Sequence, residues 1–160
     1  MASKTSTVQA EIRQTRPFRS RRQEATIGLL RTASVVSRAL ERVVEPAGIS
    51  LAQYNALRIV RGAGSAGIPT LGVRERMIQE GTTITRILDK LEKAGLVRRE
   101  RSTPDRRQVI CHVTPKGRQL LEQLDPRVNE ADEKVVAGLS AGEIERLIGT
   151  LDAIRAEAAR

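Results

Sequence analysis

The chain has 160 residues and a mass of 17.6 kDa, the size of one domain with a substantial core. Its 28 Lys and Arg residues outnumber 19 Asp and Glu, and the formal charge of +9 favours a polyanionic partner such as nucleic acid. One Tyr, one Phe and no Trp argue against an aromatic platform for single-stranded nucleic acid, and they predict that any small-molecule pocket has mainly aliphatic walls.

The N-terminal segment, residues 1–22, is polar and rich in Ser, Thr and Arg. Much of the excess charge of the chain lies here, on Arg13, Arg16, Arg19, Arg21 and Arg22. Such a composition predicts a flexible, solvated tail. The alternative is an arm that touches DNA phosphates or docks on a dimer.

Two helices are predicted next. The first runs from about Glu24 to Val44 and ends near Pro46, with apolar residues at alternating steps of four and three: Leu29, Ala33, Val36, Leu40 and Val43. Ser50 and Gln53 have the spacing of a capping box and begin the second helix. Its predicted inward stripe is Tyr54, Leu57 and Val60.

A glycine-rich stretch, 62–67, predicts a flexible connection to a short third helix, Leu71 to Met77, capped by Thr70. This helix, the turn after it and the following helix form a helix-turn-helix. Glu80 in the turn suits the helix dipole but repels phosphate, so we do not expect it to contact a base.

The stretch from Thr82 to Gly117 is the most informative part of the chain, and it begins with an amphipathic helix. Apolar residues at i, i+3, i+4 and i+7 predict a helix with one buried stripe: Ile84, Ile87, Leu88 and Leu91. The opposite face carries hydroxyls near the start of the helix and cations further along: Thr83, Arg86, Lys90 and Lys93. Hydroxyls can approach base edges while Arg and Lys reach bases or phosphates, which suits the DNA major groove. Gly95 ends the helix.

Two strand-like runs follow, 97–101 and 108–113, joined by a turn that ends in adjacent arginines. A hairpin that projects cations beside a recognition helix is a winged-helix arrangement. One arginine, Arg106 in our interpretation, pairs with Asp105 and holds the shape of the wing, while the other enters the minor groove. The two roles can be exchanged between Arg106 and Arg107. Lys90, Lys93, Arg98 and Arg101 are either phosphate contacts or solvated charges.

The C-terminal part predicts two more helices. Thr114 and Pro115 begin the first, whose stripe reaches Gly138 and contains Leu120, Leu121, Leu124, Val128, Ala131 and Val135. Pro126 is expected to kink or split it. Ser140 and Glu143 form a second capping box, and the last helix carries Ile144, Leu147, Ile148, Leu151 and Ile154. This is more apolar surface than one small winged-helix domain requires.

The sequence resembles the MarR-type transcriptional regulators from about Gln23 to the C-terminus. The matching residues are Thr85-Arg86, Asp89-Lys90-Leu91-Glu92, Gly95-Leu96-Val97, Asp105-Arg106-Arg107 and Val113-Thr114-Pro115-Lys116-Gly117. The resemblance implies a mainly α fold with a small β-hairpin wing, a winged helix-turn-helix whose terminal helices form a dimerisation region. It divides the chain into an arm, 1–22, and one regulator domain, 23–160, with a DNA-binding lobe at about 50–113 and dimerisation helices at about 24–46 and 114–158. It also implies double-stranded DNA as a partner, contacted through Thr82, Thr83, Thr85, Arg86, Lys90, Arg106 and Arg107.

The resemblance further implies a small, often aromatic, anionic effector that binds between the dimer helices and the DNA-binding lobe. Arg31 is our candidate for pairing with its carboxylate, with Ser34 beside it and Arg38 as a second cation. The alternative for Arg31 is a salt bridge to a partner chain.

Other chemistry has little support. His112 has no second His or Cys nearby, so we expect no metal site and no cofactor. Strand alternation places Cys111 in the core rather than in a redox site. No catalytic grouping is present, so we do not expect an enzyme. The single Cys, the lack of a secretory signal and the lack of an apolar run of about 20 residues predict a cytoplasmic protein away from the membrane.

The sequence therefore predicts a homodimeric repressor that binds a palindromic operator and is released by a small effector. One alternative is a constitutive or architectural DNA-binding protein without an effector. Another is a protein-interaction module that uses the same fold, which would not bind DNA in a salt-sensitive way.

Overall fold

A computed structural model describes residues 7–79, 83–103 and 105–160 of the chain. Over these ranges the fold is mainly helical, as the sequence predicted, and its strands form one three-stranded antiparallel sheet. The helices are α1 Thr7–Glu11, α2 Arg21–Val44, α3 Leu51–Gly62, α4 Thr70–Glu75, α5 Ile84–Lys93, α6 Pro115–Val136 and α7 Ala141–Ala158. The strands are β1 Ile68–Pro69, β2 Val97–Arg101 and β3 Val109–Val113, in the spatial order β1-β3-β2.

The described part of the N-terminal arm contains one short helix, α1, and the first two residues of α2. Ser20 is the N-cap of α2: its hydroxyl oxygen accepts the N–H of Gln23 at 3.1 Å. Gln23 in turn accepts the N–H of Arg19 at 2.8 Å, so the helix begins at Arg21 rather than near residue 24. The helix α1 lies against α2, and Glu11 pairs with Arg31 at 3.0 Å. A local cap and one ion pair therefore connect the described part of the arm to α2.

The junction from α2 to α3 confirms the sequence prediction. Helix α2 passes into a 3-10 turn, Glu45–Ala47, and Gly48 ends it with φ of +76°, a conformation that glycine adopts without strain. Ser50 and Gln53 then form the predicted capping box. Tyr54, Leu57 and Val60 are buried, as their spacing required.

Strand β1 was not predicted. Its two residues pair with β3 in the register Ile68 to Cys111 and Pro69 to Ile110, so long-range pairing rather than local periodicity creates it. The same pairing corrects the role of Thr70. Pro69 is the N-cap of α4, and the Thr70 hydroxyl instead donates to the carbonyl of Val109 at 3.3 Å.

Helix α5 supplies the centre of the core. Its predicted stripe of Ile84, Ile87, Leu88 and Leu91 is buried, with Leu88 and Leu91 fully inaccessible. Gly95 has φ of +71°, and the N–H of Leu96 returns to the carbonyl of Leu91 at 2.9 Å. This left-handed ending turns the chain directly into β2.

Helix α6 begins against the end of α5. Thr114 caps it by accepting the N–H of Gly117 at 3.0 Å, and the Thr114 hydroxyl donates to the carbonyl of Gly95 at 2.7 Å. A Cβ on Gly117 would lie 2.3 Å from the carbonyl oxygen of Leu96, so the two backbones are in direct contact. Beyond this joint α6 runs without interruption through Pro126, which therefore does not split the helix.

Helix α7 contains no buried residue, although Ser140 and Glu143 begin it as predicted. The apolar face expected from the sequence is largely exposed in the single chain: Leu147, Ile148 and Ile154 have 40%, 48% and 44% of their surface accessible. Val135 of α6, predicted in the same stripe, is 41% exposed. None of the helices in the described ranges has the length and apolarity of a membrane span.

Candidate nucleic-acid interface and cavity

The outer face of α5 consists of exposed polar side chains. Thr83, Thr85, Arg86 and Lys90 are all exposed, because the buried stripe occupies the opposite side of the helix. Thr83 is the N-cap residue, yet its side chain makes no capping hydrogen bond. Within the described part of the chain, Arg86 and Lys90 take part in no ion pair. These donors are available to a ligand, whereas Thr82, also predicted to bind DNA, lies outside the described residues.

The wing tip is shaped by Asp105, but not through the ion pair with Arg106 that the sequence suggested. One carboxylate oxygen of Asp105 accepts the backbone N–H of Arg107 at 3.0 Å, and the other accepts the side-chain amide of Gln108 at 3.1 Å. A short Asp side chain stabilises a turn through such bonds to the residues that follow it. Both arginine side chains are exposed and unpaired among the described residues. The two adjacent guanidinium groups are therefore both free to meet an anion.

Arg99, which sequence reasoning did not single out, joins the wing to the recognition helix. Its guanidinium donates to Glu92 at 2.6 and 2.8 Å and to Asp89 at 2.6 Å, and its backbone N–H donates to Glu92 at 3.0 Å. The hydrogen bond from Arg99 lowers the pKa of Glu92, and the bond to Glu92 raises the pKa of Arg99. Two carboxylates of α5 thereby share one guanidinium, which offsets one of their two negative charges. The signal in the sequence was strand alternation, since Arg99 shares the inward side of β2 with Val97.

A groove of about 770 Å³ separates the wing from the helix-turn-helix. Its walls come from α4, the start of α5 and the wing, and they include Arg74, Thr85, Arg99, Arg107 and Gln108. Cations therefore line a concave surface beside the recognition helix. Of the residues left open between phosphate contact and solvated charge, Arg98 pairs with Glu100, while Lys90, Lys93 and Arg101 are exposed.

A second cavity, of about 470 Å³, lies between the long helix α2 and the DNA-binding lobe. Its walls are formed by α2, α3, the turn after α4, and α6. Its lining includes Val36, Ser37, Leu40, Leu51, Tyr54, Asn55, Arg58, Met77, Ile78 and Val128. The lining is mainly aliphatic, as the scarcity of aromatic residues in the sequence predicted.

Tyr54 connects this cavity to α6. Its hydroxyl donates to Asp125 at 2.7 Å, and the second oxygen of Asp125 accepts from Arg61 at 2.6 Å. Burial raises the pKa of Tyr54 to about 12, with the hydrogen bond to Asp125 acting in the same direction. Burial alone would raise the pKa of Asp125, but the bonds from Tyr54 and Arg61 outweigh it and lower that pKa. The Arg58 guanidinium lies 5.7 Å from the centre of the Tyr54 ring and is the cation of the cavity wall.

The predicted effector residues Arg31, Ser34 and Arg38 do not line this cavity. At 100° per residue they fall on the side of α2 opposite to Ala33, Val36 and Leu40, which do line it. Arg31 is occupied by Glu11 of α1, so its ion pair is formed within the chain and not with the lobe. The sequence of α2 alone gives no sign that α1 lies against this face.

Cys111 and His112 lie at the base of the wing. Cys111 is fully buried, as alternation along β3 predicted, and burial raises the pKa of its thiol. The imidazole Nε2 of His112 is 3.1 Å from a carboxylate oxygen of Glu100. The Cε1 and Nδ1 atoms of the same ring lie next to Gly67. Among the described residues no three His, Cys, Asp or Glu side chains are grouped as metal ligands would be.

Comparison with known proteins gives a consistent result. The MarR family model matches residues 49–109, the span of the helix-turn-helix and wing. The transcriptional regulator HosA of Escherichia coli O157:H7 is 30% identical over 96 residues, which cover 60% of this chain and 70% of HosA. A candidate regulatory protein for the hcr operon of Thauera aromatica is 31% identical over 104 residues. That match covers 65% of this chain but only 61% of the Thauera protein.

Solved structures share the fold over most of the chain. A MarR transcription factor from Planctomyces limnophilus is 33% identical, with a TM-score of 0.66 over 86% of this chain and 99% of that one. A cysteine-to-serine mutant of E. coli MarR in complex with operator DNA has 25% identity and a TM-score of 0.72, covering 79% and 89% of the two chains. CouR from Rhodococcus jostii RHA1, bound to p-coumaroyl-CoA, has 25% identity and a TM-score of 0.72 over 86% and 95%.

Proposed function

Given that this chain belongs to the MarR family of DNA-binding transcriptional regulators, which are not enzymes, we propose that it acts as an effector-responsive repressor. In this proposal it binds a palindromic operator as a homodimer and is released by a small anionic molecule. The family membership supplies the DNA-binding activity. Three finer parts of the proposal rest on the residues of this chain: the DNA contacts, the dimer and the effector site.

One observation supports the proposed DNA contacts: α5 and the wing carry unpaired cations on adjoining surfaces. Arg86 and Lys90 are exposed on α5, and Arg106 and Arg107 are exposed on the wing. We assign base contact in the major groove to Arg86 together with Thr82, Thr83 and Thr85, and phosphate contact to Lys90. Arg106 or Arg107 enters the adjacent minor groove, where the potential is most negative. The complex of E. coli MarR with operator DNA is consistent with this use of the fold.

The dimer is inferred from surfaces that the single chain leaves uncovered. Helix α7 buries none of its 18 residues, and Leu30 and Val35 of α2 are 63% and 48% exposed. A second copy related by a twofold axis would cover both surfaces and present two recognition helices to two half-sites. We therefore divide the chain as the sequence suggested, with a DNA-binding lobe at about 50–113 and dimerisation helices on either side of it.

The effector site in this proposal is the 470 Å³ cavity beside Tyr54. Its aliphatic wall suits an aromatic or alkyl group, and the guanidinium of Arg58 suits a carboxylate, with which Arg can form two parallel hydrogen bonds. Binding of p-coumaroyl-CoA by CouR shows that a related protein accommodates an aromatic acyl compound. In this proposal Arg58, rather than Arg31, pairs with the carboxylate of the effector.

Two measurements test the proposal. Selection from a random duplex pool should enrich a palindrome whose half-sites are roughly 10 bp apart, centre to centre. A thermal-shift screen with benzoate, p-coumarate and related carboxylates should find a compound that stabilises the protein, because a ligand of the native state raises stability by mass action. That compound should release the selected DNA from wild-type protein and from Arg31→Ala, but not from Arg58→Ala. A selected palindrome without any stabilising carboxylate would favour the constitutive DNA-binding alternative.

A further inference from the structure

The turn between α4 and the recognition helix forms one wall of the cavity. Met77, Ile78 and Gln79 line it directly, and α5 begins five residues after Gln79. Met77 is partly buried against the core, but 83% of the Ile78 surface is exposed, so apolar burial does not fix this position.

A side chain of α3 holds the described part of this turn. The amide oxygen of Asn55, on α3, accepts the backbone N–H of Ile78 at 3.1 Å. Asn55 itself lines the cavity, one residue after Tyr54. Among the described residues no backbone carbonyl accepts the same N–H, since the last backbone bond before it is from Met77 to Arg74.

We propose that Asn55 is a positioning residue for DNA binding, which holds the turn so that the start of the recognition helix meets the major groove. The opposite end of α5 needs no such support, because Gly95, Leu96 and Thr114 fix it through backbone contacts. The start of α5 carries the hydroxyls assigned to base contact, and it follows in the chain the turn that Asn55 holds. A molecule in the cavity that takes the Asn55 amide would leave the Ile78 N–H unbonded and release the turn. This last step rests on the proposed effector site, whereas the support of the turn by Asn55 does not.

The experiment compares three variants of the full-length protein on a duplex selected by the wild type. Asn55→Ala removes the acceptor. Ser37→Ala is the matched control, because Ser37 is a polar residue of the same cavity that makes no hydrogen bond to the described part of the turn. Asn55→Asp keeps an oxygen at the same place.

We expect Asn55→Ala to bind the selected duplex about fivefold more weakly, the effect of one net hydrogen bond, with an unchanged dimer and a melting temperature lowered by no more than a few degrees. Ser37→Ala should bind as the wild type does. By amide hydrogen exchange of the DNA-free protein, Ile78 should lose protection in Asn55→Ala and keep it in Asn55→Asp. Because Asp adds a negative charge near DNA, this rescue is read from exchange and not from affinity.

Protection of Ile78 in Asn55→Ala, or unchanged affinity of that variant, would overturn the role of Asn55. Equal weakening by Ser37→Ala would also overturn it, because the cavity as a whole would then be the cause. Failure to find any carboxylate effector would count against the proposed effector site and would leave these measurements unaffected.

Discussion

The recognition helix α5 and the last helix α7 have similar apolar spacing and opposite fates in the single chain. Helix α5 buries all four residues of its stripe, whereas α7 buries none. The difference lies in what each helix can reach. The stripe of α5 faces α3 and the sheet, whereas no described element packs extensively against α7. Helical periodicity thus specifies an apolar face but not whether the same chain or a second copy covers it.

A double substitution, Leu147→Glu with Ile148→Glu, should have the largest effect. It tests whether the exposed apolar face of α7 is covered by a second copy of the chain. Charge on the uncovered face of α7 should dissociate the proposed dimer while the lobe, with its own core, stays folded. Operator affinity should fall by about 100-fold or more, because the two half-sites are then bound independently. Sedimentation and a binding titration measure the two effects. The matched control is Ala153→Glu, which adds charge on the opposite face of α7 and should change neither.

Arg86→Ala tests the outer face of α5 without disturbing its buried stripe. If Arg86 pairs with a guanine, the substitution should cost about 1–3 kcal/mol on the selected operator and much less on random duplex. Competition titrations with both DNAs give the difference. Arg118→Ala, which removes an exposed arginine of α6, serves as the control for net charge. Equal losses on operator and random duplex would mean that Arg86 contacts phosphate.

Arg99→Ala tests whether the contact between the wing and α5 contributes to the free energy of unfolding. Loss of its charge-assisted bonds to Glu92 and Asp89, which are partly screened by solvent, should cost about 1–2 kcal/mol of unfolding free energy. The sign of the pH dependence follows from Glu92. Its folded pKa is lowered, so its stabilisation is present above the ordinary value of 4.5 and is lost as pH falls through the folded pKa.

Denaturant unfolding at neutral pH and below the ordinary Glu pKa measures this contribution. The wild type should lose more stability on acidification than Arg99→Ala does. An equal loss in both proteins would show that Arg99 does not set the ionisation of Glu92.

Arg107→Ala should have the smallest effect, visible mainly in the salt dependence. If its side chain neutralises one phosphate, the slope of log affinity against log salt should become shallower by about 0.9. Arg106→Ala, its neighbour on the same turn, is the direct comparison and assigns the two roles. A slope that neither substitution changes would make the wing arginines structural rather than DNA-binding.

Local rules of sequence predicted much of the lobe correctly. The capping box at Ser50, the glycine end at Gly95 and the stripe of α5 are each decided by residues within one or two turns of one another. The strands of the wing were placed to within one residue for the same reason, since turn formers separate two short β-rich runs.

Long-range pairing explains what sequence could not supply. Strand β1 has two residues and exists because β3 lies beside it, and that pairing also redirects the Thr70 hydroxyl to Val109. Arg31 was placed in an effector site because its partner, Glu11, lies 20 residues earlier on a helix too short to be recognised. The wall of the cavity comes from four separate segments, so no local pattern points to Asn55 or Arg58.

Gly117 limits how α6 and the C-terminal end of α5 can move relative to each other. Any larger residue would collide with the carbonyl oxygen of Leu96, so the first turn of α6 and the exit of the recognition helix are in contact without a side chain between them. Lys116 reinforces the contact by donating to the carbonyl of Ala94 at 2.8 Å. Because the two backbones are close-packed here, we expect a tilt of α6 to move the C-terminal end of α5 as well. Because this joint has no room for a side chain, we expect Gly117→Ala to displace the first turn of α6 from the exit of α5.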